Sequence, residues 1–441
     1  MMKPSTIQGF RYLTVVGLGL AVAALPFSVK VCHASLGIAI LGWIGEGDWR
    51  SKWHRIKESR IVWLFTIFFA LHIAGMSYTE DVAAGWFDIE KKVTLILLPL
   101  VLVSMHRIDP KYTAAIFFVF IGACVIGTVI CLIHSVKTII TGSVADPLAS
   151  SVFWIMNPHA SKNWLAFSYT DLASGIRMHP TYLSMYLIFC LLVIYSIFHR
   201  DFFHQSRGLQ LSLIALCLYL GSFVIFLSTR ITTIAFIALV FVGCYQLDVE
   251  ERKVLRLLYS LGVAVFFMSM IYINPVSRYR NYQEIFWRPH IASKTTAPRN
   301  LSADIRASLW WIGLRSAGET NVLIGAGTGD VDAVMKTTGR KYGVYNILGS
   351  HDPHNQFIFT MLGLGLIGLL LLLACFALPA YHAYRHSDFL YLAFICLFVF
   401  LCLTESVLEL QKGIVFFSIF NSLLIFQYRP PLTWQILVST K

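Results

Sequence analysis

Hydropathy along the chain alternates between long apolar runs and shorter polar stretches, with one polar stretch of 80 residues at 274–353. A hydrocarbon core of roughly 30 Å takes about 20 apolar residues of helix. By that measure the sequence offers twelve candidate spans, approximately 9–28, 31–46, 61–77, 91–106, 113–134, 180–198, 209–228, 231–247, 254–273, 354–378, 388–404 and 411–428. The seventh and eighth share one run of 39 residues, 209–247. As a single helix that run would be roughly 58 Å long at 1.5 Å per residue, about twice the core thickness. It must break, and the polar cluster Ser228, Thr229, Arg230, Thr232 and Thr233 marks the place. The first run ends without a small-residue cleavage site and leads straight into the second, so it reads as an uncleaved span. The expected fold class is therefore an all-α polytopic membrane protein of about twelve transmembrane helices.

Composition agrees: 57% of the 441 residues are hydrophobic and only 13% charged, too apolar for a water-soluble chain. The net charge of +12 is weak evidence for nucleic acid here, because short cytoplasmic loops of membrane proteins retain Lys and Arg. The loop at 47–60, "GDWRSKWHRIKESR", carries five of them and is expected to be cytoplasmic. Counting spans from there puts both termini in the cytoplasm. It leaves 78–90, about 135–179, the junction near 228–233, 274–353 and 404–412 on the outer face. The basic residues of 274–353 do not object, since loops longer than about 60 residues escape the rule. The expected organisation is nine spans over 1–273 with a medium outer loop at about 135–179. A large outer loop at 274–353, with short helices, follows. Three spans and a cytoplasmic tail complete the chain over 354–441. The nine cysteines all fall in or beside apolar runs, which gives neither a disulfide framework nor a zinc spacing.

Polar residues gather at the outer entrances of these spans. Lys91 and Lys92 precede the fourth, Arg177 and His179 the sixth, Arg230 sits at the turn between the seventh and eighth, and His351 and His354 precede the tenth. An Arg at such a turn also suits simple snorkelling to headgroups. In "HDPHNQF" (351–357), Asp352 is a favoured N-cap and Pro353 a favoured first helical residue, so the helix is expected to start there. His354 would then lie in the first turn, where the helix dipole disfavours its imidazolium and leaves a neutral general base. Gly365 and Gly368 lie 11 and 14 residues further on, about 20° and 40° from its azimuth. They form either a close helix–helix contact or a slot for an acyl or polyprenyl chain.

These residues resemble the bacterial O-antigen ligase and O-antigen polymerase superfamily. Its signature, a His followed by Asn, Ser or Gln, nine residues, Gly, two residues, and Gly, Thr or Tyr, is met by His354, Asn355, Gly365 and Gly368. Arg177 in "RMHPTYLS" and Arg230 in "STRITT" resemble the family's two outer arginines, and Lys92 resembles its early lysine, although Lys91 is adjacent. The resemblance implies a GT-C-like, metal-independent, inverting glycosyltransferase without cofactor, in the inner membrane with its site on the periplasmic side. The donor would be a glycan on undecaprenyl pyrophosphate and the acceptor a lipid A-core hydroxyl. His354 would be the base, and Arg177, Arg230 and Lys92 would bind pyrophosphate. Asn355, His351, His179, Arg306 and Glu405 are candidate supporting residues around them. An O-antigen polymerase would share the donor and differ in acceptor, and a protein O-oligosaccharyltransferase is a further relative. A transporter would place its working charges nearer the bilayer midplane.

Other motif-like strings point nowhere stronger. "GAGTGD" (325–330) lacks the strand-to-helix context of a nucleotide loop, and "DVD" (330–332) is too short to specify a metal. Both are expected to be loop packed over the site. Trp310 and Trp311 in "IRASLWWIGL" suit a segment lying on the membrane interface.

Overall fold

The computed structural model describes residues 4–144, 153, 157–199, 202, 205–246, 253–283, 302–342 and 352–428. Among them the backbone is helix and turn, and the one β-bridge, Asn321 with Gly325, belongs to no strand. The first seven helices are α1 (Pro4–Ala24), α2 (Val29–Gly45), α3 (Trp49–Glu58), α4 (Arg60–Gly75), α5 (Val82–Lys92), α6 (Thr94–Ser104) and α7 (Pro110–Ile140). Five more follow: α8 (Tyr169–Ser174), α9 (Pro180–Phe198), α10 (Arg207–Phe226), α11 (Arg230–Gln246) and α12 (Lys253–Ile273). The last five are α13 (Ser302–Glu319), α14 (Val331–Lys341), α15 (Gln356–Arg385), α16 (Phe389–Cys402) and α17 (Gln411–Phe426).

Helices occupy the predicted apolar runs, and among the described residues six are long and apolar enough to cross a membrane, or up to eight if each of two bent helix pairs is one span. Three further apolar helices, Arg230–Val242, Phe389–Cys402 and Gln411–Phe426, are shorter than a full crossing. The expected fourth span is cut at Val93, where α5 ends, and α6 has 11 residues, about 16 Å of rise. The break foreseen in 209–247 is present: α10 stops at Phe226 and α11 starts at Arg230, with Ser228 between them at φ 53°.

The chain divides into two compact units, one of residues 1–17, 35–108 and 300–429 and the other of 18–34, 109–299 and 430–441. In the first, α17 packs against α6 and α16, and α15 against α4, α13 and α16. Its interior is aromatic, with Phe376, Phe394 and Phe398 around Phe417 and the last pair 4.5 Å apart between ring centroids. At the α3 end of this unit, Lys52 is buried against the rings of Trp43 and Trp49 and pairs with Glu46 at 3.3 Å. In the second unit α9 is buried along nearly its whole length among α7, α10 and α11, and Phe120 stands edge-on to Tyr186.

The helix expected to be capped by Asp352 starts three residues later. Asn355 is its N-cap, its side chain accepting hydrogen bonds from the Phe357 and Ile358 N–H groups at 3.0 and 3.1 Å. Helix α15 is also not continuous, because Gly365 adopts φ 63° and ψ −162° within it. The break is filled by the loop 321–330. Ala326 and Gly327 N–H donate to the Leu362 and Gly363 carbonyls, while Leu366 and Ile367 N–H donate to the Val322 and Leu323 carbonyls. Peptide groups freed by the kink thus find partners in a second segment.

Candidate functional site

The site in the first unit is built where the start of α15 meets the turn after α16. Residues 352–356 fasten themselves to 403–409 by a series of side-chain bonds. Ser406 Oγ donates to Asp352 Oδ1 at 2.5 Å, Asn355 Nδ2 donates to the Leu403 carbonyl at 3.0 Å, and Gln356 Oε1 accepts from Leu408 N–H at 2.7 Å. Asp352 Oδ1 also accepts from the His354 N–H at 2.8 Å. That local bond explains how a non-glycine residue is held at φ 46°, a strained backbone of the kind that collects at working sites.

His354 Nδ1 lies 3.2 Å from Glu405 Oε2, and the other carboxylate oxygen of Glu405 accepts from Arg306 Nη2 at 3.0 Å. The histidine side chain is partly open to solvent, whereas Glu405 is buried. Glu405, by hydrogen bond and by charge, raises the imidazole pKa above its ordinary 6.5, against burial and Arg306, which lower it. The sequence argument for a base kept neutral by the helix dipole is therefore corrected. His354 precedes the helix, and the carboxylate decides the direction. With Nδ1–H donated to Glu405, the neutral ring carries its lone pair on Nε2, the arrangement of an oriented general base.

Beside this triad is a second ionic cluster. Lys92, 1% exposed at its side chain, donates to Asp88 Oδ2 and to Glu409 Oε2, each at 2.5 Å. Lys91 reaches Asp88 Oδ1 at 2.5 Å, and Gln356 Nε2 donates to Glu409 Oε1 at 2.9 Å. Sequence reasoning missed Asp88, Glu409 and Gln356. Asp88 was recoverable, standing four residues before Lys92 on one helix; Glu409 had no signal beyond its place in "TESVLEL".

The slot beneath His354 is corrected at Gly365. A Cβ there would lie 2.3 Å from the Leu323 carbonyl carbon, so chain and not lipid occupies the space. Gly368 is buried, its missing side chain facing Leu364. The 321–330 loop is pinned further by Asp330, whose two oxygens accept from the Glu80 and Asp81 N–H groups at 2.8 Å each, and by Tyr78 OH on the Ile324 carbonyl. Trp310 packs against the cluster of Leu309, Ile312, Met335, Ile358 and Leu362, and exposed Trp311 stands edge-on to Tyr342. His351 lies outside the described residues.

The remaining candidates are in the second unit. Arg177 is exposed at φ 50° before α9, where His179 Nδ1 caps the helix by accepting from Thr181 N–H at 3.4 Å. Arg230 is half-buried at the start of α11, its Nε donating to the Arg280 carbonyl at 2.6 Å.

A search of curated proteins finds no match to the chain. A family model does match, over residues 202–373, a segment holding Arg230, Arg306 and His354. Residues 202–373 match the O-antigen ligase family model, consistent with the ligase and polymerase superfamily that the motif at His354 resembles.

Proposed function

We propose that the protein is an O-antigen ligase that transfers a glycan from undecaprenyl pyrophosphate to a sugar hydroxyl of lipid A-core, on the periplasmic side of the inner membrane. The observation that carries this reading is the 3.2 Å contact of His354 Nδ1 with a buried carboxylate, inside the family motif. His354 Nε2 takes the proton of the acceptor hydroxyl, whose oxygen attacks the anomeric carbon from the face opposite the leaving group. The bond to the pyrophosphate oxygen breaks and the configuration inverts. Glu405 fixes the ring and stabilises the imidazolium that forms, while Arg306 anchors Glu405. Arg177 and Arg230 bind the pyrophosphate, for which a planar guanidinium fork is suited, and no metal takes part.

Lys92 is reassigned. A lysine held by two carboxylates at 2.5 Å presents no net positive charge to a diphosphate, so it braces Glu409 and through it the 403–409 turn. The reading is tested by incubating purified protein with a lipid-linked glycan and either lipid A-core or a second lipid-linked unit. A glycosylated lipid A-core product supports the ligase. A lengthened lipid-linked chain makes it a polymerase, and no product in either arm defeats the proposal. Arg230→Lys is expected to raise the donor KM strongly in the same assay, since a point charge does not reproduce the planar fork.

A further inference from the structure

We propose that Arg280 is a positioning residue for Arg230, clamping the turn from which that arginine presents its guanidinium. The inference rests on the reading of Arg230 as a ligand of the donor diphosphate. Arg280 belongs to the π-helical turn Tyr279–Gln283, which follows α12 and a short helix at Pro275–Arg278. Its Nε donates to the Ser228 carbonyl at 3.1 Å, two residues before Arg230, and its own carbonyl accepts from Arg230 Nε at 2.6 Å. The side chain of one arginine thus holds the backbone leading to the other, while the backbone of the first holds the side chain of the second.

The guanidinium of Arg280 is itself fixed, its Cζ 3.5 Å from the ring centroid of Tyr169 in a cation–π stack. Both partners of this clasp are strained: Ser228 has φ 53° and Tyr169 φ 50°. Non-glycine residues keep such backbones only where their surroundings impose them. Ser277 completes the bracket, its hydroxyl 2.7 Å from Ser228 Oγ and donating to the Ile225 carbonyl at 2.8 Å. Through its Nε, Arg230 is tethered at one edge of its guanidinium to the turn that Arg280 clamps. A diphosphate ligand gains most from an arginine ordered before binding.

The test is steady-state transfer with a lipid-linked glycan donor, measured for Arg280→Lys, Arg280→Ala, Tyr169→Phe, Tyr169→Leu, Arg230→Ala and the double Arg230→Ala/Arg280→Ala variant. Arg280→Lys and Arg280→Ala should raise the donor KM about 10- to 100-fold with the acceptor KM unchanged. Tyr169→Phe keeps the stacking face and should match wild type, whereas Tyr169→Leu should share the Arg280 defect without altering any charge. The double variant should be no worse than Arg230→Ala, because the clamp acts only through that residue. Arg280→Lys with a wild-type donor KM beside a defective Arg230→Ala overturns the clamp alone. A wild-type donor KM in Arg230→Ala overturns both the clamp and the diphosphate role beneath it.

Discussion

Around the turn at 405–409, two ionic clusters use the same residue types, lysine or arginine with carboxylates, and differ in access to solvent. In the first, His354 and Arg306 are about a third exposed, at 34% and 32% of their side-chain surface, with Glu405 buried between them. In the second, Lys92 and Glu409 are 1% and 7% exposed and close on Asp88. Buried ion pairs add little net stability but are costly to break by halves. A group that must meet a substrate hydroxyl has to keep an open face. The sealed cluster therefore braces the turn, and the open one, carried on that turn, has the geometry to do chemistry.

Separate substitutions should pull these roles apart. His354→Ala is expected to lower kcat by about 10²- to 10⁴-fold, the usual weight of a general base, while the thermal midpoint in detergent stays near wild type. A simultaneous collapse of both would erase the distinction. Lys92→Met should do the reverse, destabilising the protein by about 3–5 kcal/mol through its stranded carboxylates, with a much smaller loss of activity per folded molecule. A thermal midpoint equal to wild type would show that the cluster braces nothing. Gly365→Ala should cost about 1–3 kcal/mol by forcing a side chain onto a positive φ and against the Leu323 carbonyl. A stability equal to wild type would show that neither the positive φ nor the Leu323 contact is present. The smallest effect concerns pH. A histidine whose folded-state pKa is raised contributes stability below its unfolded value of about 6.5, and this fades as pH rises through the raised value. The gap in thermal midpoint between wild type and Glu405→Gln should therefore be wider at mildly acid pH and narrow as pH rises, down to the part owed to the Arg306 pair.

Hydropathy carried most of the helical architecture, including the break before Arg230, because a 39-residue apolar helix is physically too long to cross one bilayer. Helix limits were less legible where a run was only just long enough, as at α6 with its 11 residues. The candidates His354, Asn355, Arg306 and Glu405 were legible as types; His354, Glu405 and Arg306 fall into one hydrogen-bonded set, and Asn355 ties the adjoining helix start to Leu403. Their local chemistry was not legible. Asp352 and Pro353 read as a helix start, yet Asp352 turns its side chain to the His354 N–H and to Ser406, a partner 54 residues away. The azimuth argument for Gly365 failed for the same reason: a loop from 321–327 breaks the helix between the histidine and the glycine's far side. Pairings over such separations leave no periodic trace in sequence.

The central claim is that His354 is a base oriented and tuned by Glu405. The most direct measurement is the pH dependence of kcat/KM for wild type and Glu405→Gln. Activity should rise with pH as His354 loses its proton, with a wild-type midpoint above 6.5. In the Gln variant, where the neutral side chain no longer stabilises the imidazolium, the rise should be displaced to lower pH with a reduced plateau. Superimposable profiles, or no rise in either protein, would contradict the account.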